Sequence, residues 1–196
     1  MSKPPSSTRD QLVAAAARLL DGGGPEAVTL RAVAQAVGVS HNAPYRHFED
    51  KRALLAAVAQ EGFRELGHAF AHAAQAAATP LAALRLVVRV YFDFARRHPA
   101  RYRLLFSDPE VGREGGELEA EALRAFGAVA ELVGAAQRSG ELRAGGPAEL
   151  TALLYGAVHG LADLELSGRA RAAKGMEEVD ALPLLLLDLL ATEAGT

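Results

Sequence analysis

The 196-residue sequence contains no cysteine, so it can form neither a disulfide framework nor a thiolate metal site, and nothing in its residues points to secretion. No apolar run approaches the length of a membrane span. The first ten residues, MSKPPSSTRD, lack the apolar core of a signal peptide, and a cytoplasmic protein with no membrane partner is expected. Alternating strand patterns are missing, and so are internal repeats. Lysine is scarce, eighteen arginines standing against three lysines, which with abundant Ala and Gly speaks of a GC-rich bacterial genome more than of mechanism.

Half of the residues are hydrophobic and 23% are charged, the composition of a chain that folds. The length suits one large domain or two small ones sharing a core. The net charge of −3 argues superficially against a nucleic-acid partner, because phosphate binding rests on Lys and Arg. Its distribution reverses that impression. Residues 1–52 hold seven Lys/Arg and five Asp/Glu, with His41 and His47 besides, whereas residues 53–196 hold fourteen against nineteen. A small basic module attached to a larger acidic body has this asymmetry.

The periodic segments read as helices. Ser7 or Thr8 can cap the first, with Asp10 or Gln11 as reciprocal acceptor. Leu12, Ala15, Ala16, Leu19 and Leu20 form its apolar stripe, and Gly22-Gly23-Gly24-Pro25 should stop it. Thr29 is placed to cap a second helix with Leu30, Val33, Ala34 and Val37 on one face, ended by Gly38 in a left-handed conformation. Ser40 should cap a third helix. The link Gly38-Val39-Ser40 allows only a tight corner, and two short helices at a corner make a helix-turn-helix. Pro44 lies inside the third helix, where with Ser40 as cap it removes about one intrahelical bond. It should push Ala43 away from helical angles and give a distorted or 3₁₀-like first turn to a helix that nevertheless exists. Beyond it, a long helix from about Asp50, helices over 81–97 and 117–138, a short piece at PARYRLLF, and final helices over 147–167 and 177–192 complete an all-α chain of about nine helices.

The run AVTLRAVAQAVGVSHNAPYRHFEDKRALL resembles the N-terminal domain of TetR/AcrR-type transcriptional regulators. The matching positions are Thr29, Arg31, Ala34, Gly38-Val39-Ser40, Tyr45, His47, Phe48 and Lys51, within residues 8 to about 55. The departure is Asn42-Ala43-Pro44, where Gly-Thr-Leu is common in the family. The resemblance implies a double-stranded DNA operator as partner and Tyr45, His47 and Lys51 as phosphate contacts that set register. Thr29 and Ser40 would satisfy helix-start amides and leave others to receive phosphate oxygens. Arg31, His41, Asn42 and Ala43 remain to reach base edges, Arg suiting guanine, Asn adenine and Ala a thymine methyl.

In the acidic body, YGAVHG at 155–160 resembles the Trp-x-x-x-His-Gly signature of one family subgroup, with Tyr155 in place of Trp. LTALLYGAVHGLADLEL and VDALPLLLLDLL are apolar over more than one face and need covering on two sides. By resemblance, a homodimer would pack these last two helices into a four-helix bundle. That would set two reading heads about 34–36 Å apart on a near-palindromic operator. The same family reading implies a ligand-responsive repressor. Phe63, Phe92, Tyr102, Phe106, Phe126, Tyr155 and His159 are the candidate contacts for a small apolar or aromatic effector, although most aromatic residues of this kind belong to the core.

The expected organisation is a helix-turn-helix head over 1–52 and a ligand-binding and dimerisation body over 53–196, with no cofactor and no metal. Two rival readings stand beside it. His68 and His72 have a spacing that could clamp a metal in an enzyme, but no third ligand follows in register. A helical small-molecule-binding or structural dimer that binds no DNA is the other.

Overall fold

A computed structural model of the chain describes residues 7–109, 111 and 115–192. The first six residues of MSKPPSSTRD, and residues 110, 112–114 and 193–196, lie outside these. The described residues form eight α-helices and two 3₁₀ turns, with one isolated antiparallel bridge between Leu142 and Ala191.

Helix α1 (Thr8–Ala27) begins at Ser7, whose hydroxyl accepts the Asp10 N–H while the Asp10 carboxylate accepts the Ser7 N–H, a reciprocal capping box. The triple glycine does not stop it where expected. Helical geometry continues to Gly23, kinks at Gly24 (φ 70°, ψ −173°), and resumes for a last turn from Pro25. Pro25 fits there because the first residue of a new turn has no intrahelical N–H bond to lose. Helix α2 (Leu30–Val37) is bounded as its sequence dictates. The Thr29 hydroxyl accepts the Ala32 N–H at 3.0 Å, and Gly38 closes the helix with φ 78°. Helix α3 (Lys51–Ala76) is capped by Asp50, whose carboxylate accepts the Ala53 N–H at 2.8 Å. Helices α4 (Pro80–Arg97), α5 (Pro99–Phe106), α6 (Glu117–Arg138) and α7 (Pro147–Leu166) follow, and α8 (Ala181–Leu190) is shorter than the 177–192 expected. A 3₁₀ turn at Ala172–Lys174 occupies part of the α7–α8 connection.

Two compact units emerge. One comprises the described parts of Met1–Arg64 and His98–Ala122, the other Glu65–Arg97 with Leu123–Thr196. In the first, α1 packs on α2 and α5 around Leu12, Leu20, Val28, Val33, Leu54 and Tyr102, none more than 1% exposed. Gly62 permits the close crossing of α3 and α5, because a Cβ there would lie 2.9 Å from Leu105 Cδ1. An ion pair with a buried arginine fastens α5 to α1. Arg101 donates to both Asp21 carboxylate oxygens, from Nε at 3.0 Å and from Nη2 at 2.9 Å, and His98 Nδ1 lies 2.9 Å from Asp21 Oδ2.

In the second unit α4 packs on α7 and α8, and α7 on α8, around Leu84, Phe92, Val133, Ala162 and Leu187. The bridge at Leu142 and Ala191 pins the end of α8, with Arg143 N–H donating to the Leu190 carbonyl and Thr192 N–H to the Glu141 carbonyl. Arg96 of α4 holds Glu165 of α7 at 2.7 Å and Asp180, next to α8, at 2.9 Å.

Candidate nucleic-acid interface

The third helix of the head is a single 3₁₀ turn, Pro44–Arg46, and not the longer helix expected from Ser40. Its cap residue is Ala43 and no side chain caps it; the Ser40 carbonyl, not its hydroxyl, accepts the Ala43 N–H at 2.9 Å. Ala43 keeps helical angles (φ −60°, ψ −41°) despite the proline that follows, contrary to the steric expectation. The cause lies in bonding order. Pro44 has no N–H to give Ser40, so the Ser40 carbonyl is taken by the residue three positions on, which is the 3₁₀ pattern. The Pro44 carbonyl then accepts from both His47 and Phe48 at 2.9 Å, so the turn ends on one α-type bond.

Burial separates the residues that hold this turn from those that face outward. Leu30, Val33, Ala34, Pro44 and Phe48 are buried, and the Arg9 guanidinium lies over the Phe48 ring at 5.5 Å. Val39 is half-buried at the corner. Thr29, Arg31, Ser40, His41, Asn42, Tyr45 and His47 are exposed, Tyr45 to 59%, an uncommon exposure for a large ring. Ala43 is half-buried. The structure thus brings the expected DNA-facing residues onto one module with their side chains exposed, except for Ala43 and for Lys51. The Lys51 side chain is half-buried, and its Nζ donates to the Pro25 carbonyl at 2.6 Å, joining the start of α3 to the turn before α2. Arg46, exposed between Tyr45 and His47, was not singled out by the sequence pattern, because the resemblance leaves its position variable.

The seven aromatic and histidine candidates of the body divide between the two units. Phe63, Tyr102 and Phe106 stack in the first, Phe106 being 5.3 Å from Phe63 and 5.2 Å from Tyr102 between ring centroids, with Phe63 and Tyr102 buried. Phe92 in the second unit is fully buried core. Phe126, Tyr155 and His159 form a string there, Tyr155 lying 5.5 Å from Phe126 and 4.0 Å from His159. Its inner end is Tyr91, whose hydroxyl shares a 2.6 Å hydrogen bond with His159 Nδ1. Nothing local to Tyr91 in the sequence foretells a partner 68 residues away. Burial pushes the His159 imidazole down to about 4 against the opposing Asp163 carboxylate, so it is neutral at neutral pH. Burial also raises the Tyr155 phenol. His68 and His72 are both exposed on α3, and among the described residues no group of three His, Cys, Asp or Glu is placed to hold a metal.

A capped helix, a left-handed glycine corner and a pinned recognition turn with polar residues outward define the helix-turn-helix transcriptional regulators. The comparisons with known proteins go further. Residues 12–58 match the description "Bacterial regulatory proteins, tetR family", and residues 84–190 match "Tetracyclin repressor-like, C-terminal domain". The chain belongs to the TetR family. Among solved structures it is similar to a protein of unknown function from Rhodococcus sp. RHA1, 26% identical, with 96% of this chain and 97% of that one covered and a TM-score of 0.79. It also shares the fold of a TetR-family transcriptional regulator from Pectobacterium atrosepticum, at 23% identity, 95% coverage of each chain and a TM-score of 0.76. Nucleoid occlusion factor SlmA from Marinomonas sp. (strain MWYL1) is 29% identical over 112 residues, so the chain spans a little over half (57%) of the length of the curated relative it matches.

Proposed function

We propose that this chain is a DNA-binding transcriptional regulator, a repressor acting as a homodimer on a near-palindromic operator and released by a small apolar or aromatic effector. The observation that carries the reading is the partition of the head. Apolar residues are buried on its inner side, while Arg31, His41, Asn42, Tyr45 and His47 all stay accessible on and beside the corner. Phosphate contacts from Tyr45 and His47 would fix register, and Arg31, Asn42 and Ala43 have the chemistry to read bases. The head over 1–52 and the body over 53–196 remain the functional division in this proposal, with α3 as the lever that leads from one into the other.

Exposed leucines support a partner subunit. On α7, Leu153 lies about half a turn round from the buried Leu154–Val158–Ala162 face, and on α8 Leu185 and Leu189 lie about as far round from buried Pro183 and Leu187. Leucines 50%, 54% and 63% exposed on the far sides of two already packed helices call for a second copy. The string Phe126–Tyr155–His159, exposed at Phe126 and Tyr155 and anchored on Tyr91, offers mutually inclined aromatic rings with polar groups at its inner end, which suits an aromatic effector. An effector that binds one dimer geometry better than the other lowers operator affinity by that difference.

Selection of bound duplexes from a random pool tests the reading directly. A recovered site with two inverted half-sites, bound with affinity that falls steeply as salt rises, is the expected result. Failure to bind any duplex in dilute buffer would leave a helical dimer without a DNA function.

A further inference from the structure

We propose that the effector is an aromatic cation, an arylalkylammonium whose ring rests on Phe126 and Tyr155 and whose ammonium meets Asp163; this rests on the reading of that aromatic string as the effector contact. Tyr155, His159 and Asp163 follow one another at four-residue spacing on α7, so they form one stripe, each about 6 Å further along the helix axis. Helical side chains lean back towards the N-terminus, which brings the Asp163 carboxylate over the turn that carries His159. The stripe therefore runs from aromatic rings to a carboxylate within the reach of one small molecule.

The two carboxylates at this end of α7 are in different circumstances. Glu165 is held by Arg96 at 2.7 Å. Asp163 is exposed, and among the described residues its carboxylate has no hydrogen bond and no ion pair. Arg169, the next cation along the chain, turns its Nε to the Ser167 hydroxyl at 2.8 Å. On α4, Arg85 is engaged by Asp188 and Arg97 by Asp93. Asp163 also stands in the last turn of α7, where the helix carbonyls add partial negative charge and a cation is the favoured neighbour. At the other end of the stripe Phe126 and Tyr155 are both exposed, with their rings inclined at 74°, a corner whose π faces attract the positive end of a ligand as well as its ring. Arg124 of α6 stands about 160° round that helix from Phe126, away from this corner. His159 lies between the two ends. Burial pushes its imidazole down to about 4, and its Nδ1 shares the Tyr91 hydroxyl bond, so it sets no positive charge in the path of an ammonium at neutral pH. An aromatic carboxylate would meet Asp163 with like charge, and a neutral aromatic would leave it unused.

Three naphthalene probes of similar size, naphthylethylamine, naphthylethanol and naphthylacetate, test this on the full chain. The protein has no tryptophan, so the anisotropy of naphthalene fluorescence can be followed free of indole emission. The amine should bind tighter than the alcohol by about fivefold to tenfold, and the carboxylate more weakly than either. Asp163→Asn should bring the amine to the level of the alcohol with an unchanged melting temperature, and Tyr155→Leu should weaken amine and alcohol together. On the duplex selected by the wild-type protein, naphthylethylamine should lower operator affinity, and naphthylacetate at the same concentration should not. A carboxylate bound as tightly as the amine would overturn the proposal, as would an Asp163→Asn protein that keeps the preference for the amine. So would an operator affinity that the bound amine leaves unchanged. Preference for the amine in a protein that binds no duplex would bring down the DNA-binding reading while upholding the cation site, so the two failures are told apart.

Discussion

Arg101 of α5 holds Asp21 of α1 through two bonds, at 3.0 and 2.9 Å, although the two residues are 80 positions apart and the arginine side chain is only 10% exposed. A guanidinium taken that far out of water is stable only while its carboxylate stays in place.

The pair should therefore behave as a unit. Arg101→Met leaves Asp21 and His98 facing each other without the fork, and should lower unfolding free energy by about 2–3 kcal/mol, short of the fully buried range because Asp21 keeps some solvent. Asp21→Leu should cost a comparable amount, since it removes the carboxylate that both guanidinium bonds reach. The double substitution should cost clearly less than the two added together. Urea unfolding of the four proteins checks this, and strict additivity would show that the pair contributes no coupling.

Gly62→Ala gives a prediction in which two effects compete. Alanine is the better helix former by about 1 kcal/mol. Its Cβ, however, would lie 2.9 Å from Leu105 Cδ1 and 3.2 Å from Cδ2, in a core where Leu105 is 8% exposed. Overpacking of this kind costs about 1–3 kcal/mol, so net destabilisation is expected. Shortening the obstacle should reverse the sign: in a Leu105→Ala background, Gly62→Ala should become neutral or stabilising. Thermal unfolding of the two single variants and the double reads the outcome.

These two contacts mark where the sequence stops being legible. Ser7, Thr29 and Gly38 declare the helix boundaries because capping is decided within four residues. The head was readable for the same reason, down to the buried side of Pro44 and Phe48. The recognition turn was misread as a helix because a proline there trades an α-type for a 3₁₀ bond, and local rules do not fix which arrangement prevails. The Lys51 tie was not legible because its partner, the Pro25 carbonyl, is a backbone atom with no signature in the residue type. Tyr91 with His159, and Asp21 with Arg101, depend on helix packing across 68 and 80 residues, which no periodicity encodes.

His159 should make stability depend on acidity. Its folded pKa is pushed down to about 4 by burial, below the 6.5 of a free imidazole. Above pH 6.5 both folded and unfolded forms are neutral and the group contributes no slope. As pH falls from about 6.5 towards 4, the unfolded chain takes up a proton that the folded chain refuses, so stability is lost over that window. The full loss is on the order of 2–3 kcal/mol. His159→Gln should lack this component, and comparing urea midpoints of both proteins between neutral and acid pH would reveal it. Equal slopes would show that the imidazole titrates alike in both states.

The exposed leucines give the last prediction, because it separates assembly from folding. Leu153, Leu185 and Leu189 turn away from the cores of their own helices, so a charge on any of them meets water in an isolated protomer and costs little there. In a bundle shared by two copies the same charge is trapped between apolar surfaces, where an unpaired carboxylate costs several kcal/mol. Leu189→Glu, at the most exposed of the three, should therefore yield monomers by light scattering while keeping the helical signal of the parent. Operator affinity should fall far more than affinity for a random duplex, because two linked heads gain from simultaneous engagement and a single head does not. A Leu189→Glu protein that remains dimeric would move the partner interface off the outer faces of α7 and α8.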